Sequence, residues 1–139
     1  MSYQGHTALV LEDNETGRFV LRAILEHHGF AVLESATAPE AIRQSREYPT
    51  PIHLLIADVV LRSVGGMEVI RQLKQQRPEL ACLFVSGYPL DQLLNRGLIE
   101  SEFFSASGAA FLQKPFAAST LMRVVDRLLN SSGSPASGE

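Results

Sequence analysis

One cysteine, Cys82, stands among 139 residues, so no disulfide can close within the chain. Its place in the apolar run Leu80–Val85 reads as a core filler in a reducing compartment. No apolar stretch nears the length of a membrane span, and no signal-peptide core opens the sequence. A soluble, cytoplasmic chain with no membrane partner is expected. Lys and Arg form no cluster and the formal charge is −3, so no nucleic-acid surface is expected either. Neither Gly-x-x-x-x-Gly-Lys nor Gly-x-Gly-x-x-Gly occurs, which argues against nucleotide binding. The histidines His6, His27, His28 and His53 do not fall at ligand spacing and read as surface or packing residues. There is no internal repeat. What is plentiful is apolar content, 45%, enough for one good core but hardly two.

The stretch from His53 to Gly66 organises the rest. Ile52 and Leu54–Ala57 form a short apolar run that stops at Asp58, before a loop closing on Gly65-Gly66. Such a run reads as a strand buried on both faces in the middle of a parallel sheet. Asp58 then sits at the strand's carboxyl end, where open α/β sheets bind ligands. Taken alone, it would equally suit a cap on the turn or on the helix after Gly66.

In chain order, Thr7–Leu11 is a strand delivering Glu12 and Asp13 at its carboxyl end. A helix opens at Asn14 or Glu15, carries the stripe Val20, Leu21, Ile24, Leu25, and stops at Gly29. Ala31–Ser35 is a second strand and Pro39 to about Glu47 a modest helix. Met67, Ile70 and Leu73 stripe a third helix that must end by Pro78. Leu80–Val85 and Ala109–Leu112 are further strands, and Leu121, Val124, Val125 and Leu128 stripe a closing helix. Between them, 88–108 is expected to hold a short or irregular helix and a mobile loop. This alternation predicts an α/β fold, a flavodoxin-like doubly wound five-stranded parallel sheet of order 2-1-3-4-5 with helices on both faces. The expected layout is a leader over 1–6, one domain over 7–129, and a flexible tail or truncated linker over 130–139.

On that fold Glu12, Asp13, Asp58, Ser86 and Lys114 converge at one sheet edge. Three carboxylates within about 5 Å repel by roughly 3 kcal/mol per pair at an effective dielectric of about 20. A fold of ordinary stability does not tolerate that sum uncompensated. Either one acid takes up a proton or a cation occupies the cluster. Hard oxygen ligands open to water suit Mg²⁺ better than zinc. A cation beside a carboxylate, with a lysine and a hydroxyl opposite, makes a phosphoryl site in which Asp58 can be the nucleophile.

The segments Leu11-Glu12-Asp13-Asn14, Asp58 with Gly65-Gly66, Val85-Ser86-Gly87-Tyr88 and Phe111-Leu112-Gln113-Lys114-Pro115-Phe116 resemble the receiver domain of two-component response regulators. Their wording is most like that of receivers attached to hybrid sensor histidine kinases. The resemblance implies a phosphoacceptor rather than an enzyme acting on other molecules. Asp58 would take phosphate from a histidine kinase or histidine phosphotransfer protein. Asp13, Asp58 and the backbone carbonyl of Val60 would hold Mg²⁺, with Glu12 acting through water. Lys114 would contact the phosphoryl oxygens, on a cis bond to Pro115. Ser86 would swing toward the phosphate and Phe111 fill the space behind it, switching the face of the fourth helix, fifth strand and fifth helix. A homodimer on that face is a further implied possibility, and Tyr88 would lie half-exposed near Asp58, gating water.

Two departures stand out. Arg62 occupies the place four residues after the acceptor where the family usually has proline, which predicts a looser loop. The interval from Ser86 to Lys114 is a few residues longer than usual, which bears on partner choice. Two other functions fit part of the pattern. One is a degenerate receiver that binds partners without phosphorylation. The other is a small phosphatase with Asp58 as nucleophile, although Val60 stands where such enzymes want a second acid.

Overall fold

The computed structural model describes residues 2–60, 66–102 and 108–131. Among them strands and helices alternate as β1 (Thr7–Leu11), α1 (Glu15–His27), β2 (Ala31–Ser35), α2 (Ala38–Glu47), β3 (Leu54–Asp58), α3 (Gly66–Gln76), β4 (Ala81–Ser86), α4 (Leu90–Asn95), β5 (Ala109–Gln113) and α5 (Ala118–Ser131). The strands are parallel in the order β2-β1-β3-β4-β5, as the alternation predicts. Parallel pairing puts every carboxyl end on one edge. That edge is where the acids lie.

The three middle strands are buried along their whole length, so successive side chains feed two different cores. Leu9, Leu11, Leu55, Ala57, Cys82 and Phe84 face α2, α3 and α4. Ala8, Val10, Leu54, Ile56, Leu83 and Val85 face α1 and α5. Period-two alternation with both faces apolar is why these strands read as continuous hydrophobic runs. Cys82 is nearly inaccessible, and burial pushes its thiol up to about 11. It stays a neutral packing group.

The helix ends follow local chemistry. Asn14 Oδ1 accepts from Gly17 N at 2.7 Å and opens α1. Thr37 caps α2, with Pro39 in its first turn. After α1, Gly29 turns the chain with φ +102. A Cβ there would stand 2.9 Å from Gln4 N, against the backbone of the returning N-terminal segment. Gly29→Ala is therefore expected to lower stability by about 1–3 kcal/mol, from the left-handed backbone and the contact together. Urea denaturation of both proteins measures the difference.

The segment ahead of β1 packs onto the sheet's helices, with Tyr3 N donating to His28 O at 2.7 Å. Tyr3 is buried, stacks on Phe30 at 4.7 Å, and its hydroxyl donates to Asp126 on α5. Other boundaries differ slightly from the sequence reading. β4 runs one residue later at each end, taking in Ser86, because β5 still offers it a partner at Gln113. Backbone pairing is indifferent to a hydroxyl side chain. α5 likewise continues through Ser131, two residues past the expected domain boundary at 129. Within 88–108, α4 is six residues long and Gly97 turns the chain after it at φ +72. Arg62, Gly65, 103–107 and 132–139 lie outside the described residues. No described helix is long and apolar enough to cross a membrane.

Candidate functional site

Each acid arrives at the edge because an apolar strand carries it there. Glu12 and Asp13 follow β1, Asp58 ends β3, and these strands are hydrogen-bonded neighbours with Leu11 opposite Ala57. Lys114 follows β5, two strands away, and its backbone N donates to Ser86 O at 2.8 Å. That bond aims the lysine stem across β4 toward β3. The Lys114–Pro115 bond is cis, in agreement with the resemblance.

Ligand oxygens of Glu12, Asp13 and Asp58 all lie within 4.8 Å of one another. Lys114 Nζ donates to Glu12 Oε1 at 2.7 Å and to Asp58 Oδ2 at 2.9 Å. Backbone amides take the other oxygens: Asn14 N donates to Glu12 Oε2 at 3.0 Å, and Val60 N to Asp58 Oδ1 at 2.8 Å. Glu12 and Asp58 are almost inaccessible, at 1% and 7% exposure, so these bonds replace water they have lost. For Lys114, burial pulls the ammonium down, but its bonds to Glu12 and Asp58 outweigh that and hold it above the ordinary lysine value. The cation that the acid cluster demands is thus supplied in part from within the chain.

Among the described residues Lys114 sets one ammonium against two of the three carboxylates, Glu12 and Asp58. Each hydrogen-bonded oxygen keeps a second lone pair, and all donors are hard oxygens. Such a set fits a small divalent cation, Mg²⁺ before zinc.

Ser86 is buried, and its Oγ accepts from Tyr88 N at 3.1 Å. Tyr88 is 45% exposed, with Arg96 Cζ 5.7 Å from its ring centroid. Phe111 pairs with Phe84 in the sheet and packs, partly buried, against the core under α3 and α4. It lies below the rim, whereas Glu12, Asp13, Asp58 and Lys114 meet at it, with Val60 alongside through its amide. A small apolar cleft beside the rim is lined by Val20, Leu21, Val85, Pro115 and Phe116, and Phe19 and Val20 on α1 are exposed.

Sequence reasoning missed two features. Arg18 Nη1 donates to the backbone carbonyl of Glu12 at 2.8 Å, and no local pattern marks that bond. The histidine spacing suggests no cluster, yet His6 and His53 rings pack 4.5 Å apart at the opposite edge of the sheet. Chain crossover brings them together, since each lies beside Thr7 or β3. His53 Nδ1 accepts from Thr7 N at 3.0 Å, which requires a neutral ring. Burial first, then the neighbouring His6, lowers the His53 pKa, and a bond that needs an unprotonated Nδ1 works in the same direction. The unfolded chain therefore binds a proton more readily than the folded one. Stability is expected to be full above the ordinary histidine value of 6.5 and to fall as pH drops below it. His53→Asn keeps an acceptor near Thr7 N, and should flatten the slope of urea-derived stability between about pH 7 and 5.

The response regulator receiver domain model matches residues 8–126. Sensor kinase CckA of Brucella abortus is 28% identical over 123 residues, covering 88% of this chain and 12% of that protein. The response regulator receiver protein CpdR of the same species is 26% identical over 121 residues, covering 87% of this chain and 93% of that one. The phosphate regulon regulator PhoB of Rhizobium meliloti is 39% identical over 124 residues, covering 86% of this chain and 50% of that protein. The crystal structure of the CckA receiver domain matches with a TM-score of 0.71 at 28% identity, covering 88% of this chain and 98% of that one. The chain thus spans nearly all of CpdR, half of PhoB and about an eighth of CckA.

Proposed function

We propose, from the premise that the chain belongs to the response regulator receiver domain family of two-component systems, that Asp58 is its phosphoacceptor and that loading requires Mg²⁺. The family consists of phosphoacceptors, not enzymes acting on other molecules. The donor is a histidine kinase or a histidine phosphotransfer protein. A carboxylate oxygen of Asp58 attacks phosphorus, the P–N bond to the donor imidazole breaks, and an acyl phosphate forms. Asp13, Asp58 and the Val60 carbonyl would hold Mg²⁺, with Glu12 acting through water. The ion would neutralise the phosphoryl oxygens. Lys114 exchanges a carboxylate contact for a phosphoryl oxygen. Ser86 gives up the Tyr88 amide to donate its hydroxyl to the same group, and Phe111 shifts into the space behind it. The face of α4, β5 and α5 reads out that change.

The observation carrying this reading is the oxygen cluster of Glu12, Asp13 and Asp58 with Lys114 bridging two of them. The apolar cleft and the exposed Phe19 and Val20 beside it offer a docking surface next to the acceptor. Incubation with acetyl phosphate and Mg²⁺ tests the reading. One hydroxylamine-labile phosphoryl group should appear in the intact mass, and none should form when EDTA is present from the start. A chain that gains none with Mg²⁺ present is a degenerate receiver.

A further inference from the structure

Consecutive residues of extended backbone point to opposite faces of a sheet. Glu12 and Asp13 are consecutive, yet their carboxylate oxygens share one cluster with Asp58. The peptide joining them must leave the pleat. Its carbonyl then needs a partner that is not a neighbouring strand. Arg18, in the first turns of α1, supplies it: Nη1 donates to Glu12 O at 2.8 Å. On its other side the guanidinium faces Glu34 of β2, with Nε 3.5 Å from Oε1. Glu34 is itself paired with Arg22, and its carbonyl accepts from Gln44. The amide of Glu12 is held independently, donating to Ser35 O at 3.1 Å.

We propose that Arg18 is a positioning residue of the acid rim, oriented by Glu34, and that it sets the Glu12–Asp13 peptide so that both carboxylates reach the cation site. The inference rests on the Mg²⁺ reading above for its consequence but not for its geometry. Arginine suits the task because its rigid fork serves a carbonyl and a carboxylate at once, which a lysine ammonium does not reproduce.

The sign of one measurement separates positioning from simple charge. A cation that merely sits near the rim repels Mg²⁺, so deleting it would tighten binding. Positioning predicts the reverse. Arg18→Met, which keeps the stem, should weaken Mg²⁺ binding about tenfold in calorimetric titration, the range seen when supporting contacts of metal ligands are lost. Arg18→Lys, which keeps the charge, should weaken it in the same direction, and Glu34→Gln by less. In metal-free NMR spectra, the Glu12 carbonyl and Asp13 amide resonances should move in Arg18→Met while the thermal transition stays cooperative. Unchanged resonances, or Mg²⁺ bound equally or more tightly by Arg18→Met, overturn the proposal. If Arg18→Met does not fold, Arg18→Lys decides by the same two readouts. Wild-type protein that takes up no Mg²⁺ overturns the metal reading, and the metal-free resonances then judge Arg18 alone.

Discussion

Asp58→Asn is expected to gain no phosphoryl group from acetyl phosphate or a histidine-phosphorylated donor, even at saturating Mg²⁺. The amide nitrogen lone pair is delocalised into the carbonyl, and the neutral side chain lacks the charge that drives attack on phosphorus. The variant also removes one of the three charges in the rim, so Mg²⁺ binding weakens with it. The fold should persist. The carboxamide oxygen of the variant can still accept from Val60 N, in the place of Asp58 Oδ1. Loss of the Lys114 contact is offset by relief of repulsion with Glu12 and Asp13. Intact mass with hydroxylamine treatment reads the chemistry, and urea denaturation reads the fold. A phosphoryl group still present on the variant would move the acceptor to Glu12 or Asp13.

Lys114→Ala should have opposite effects on two measurements. Without metal, the nearly inaccessible carboxylates of Glu12 and Asp58 lose the ammonium they share. Breaking an enclosed ion pair on one side costs about 3–5 kcal/mol, and here about 2–3 kcal/mol is expected because a third of the lysine side chain meets solvent. With metal, the same substitution removes a positive charge from beside the cation site. Mg²⁺ affinity should therefore rise at least about tenfold, the repulsion of a divalent and a monovalent cation about 5 Å apart at the dielectric of water, which a drier rim only increases. Added Mg²⁺ should restore most of the lost stability. The pH dependence carries the same signature. The folded-state pKa of Lys114 lies above its ordinary 10.5, so its contribution is full below 10.5 and is lost as pH rises through the folded value. Wild type should lose its advantage over the alanine variant in that alkaline range. Equal metal-free stability, or weaker Mg²⁺ binding by the variant, would show that Lys114 is not the resident counter-ion.

Much of the molecule was legible from residues alone, for a reason that β1 and β3 make plain. Their apolar runs end at Glu12 and Asp58, and parallel strands must place their carboxyl ends on one edge. Strand burial, helix stripes and caps such as Asn14 depend on neighbours two to four positions apart, so a short window contains the information. The acid cluster, its need for a cation and the sheet order follow from that local pattern plus the right-handed crossover.

Partner choice among the converged groups was decided only by the tertiary structure. Lys114 is separated from Glu12 by 102 positions and from Asp58 by 56, and nothing local says it bridges both. The fork of Arg77, spread over Ser45, Tyr48 and Thr50 to tie the end of α3 to that of α2, is equally silent in sequence. So are the Arg18 bond to Glu12 O, the His6–His53 packing and the docking of Tyr3. Periodicity reports which face a side chain takes. Which remote group it meets there depends on where the helices and loops return to the sheet, and that is set by the packing of the whole core.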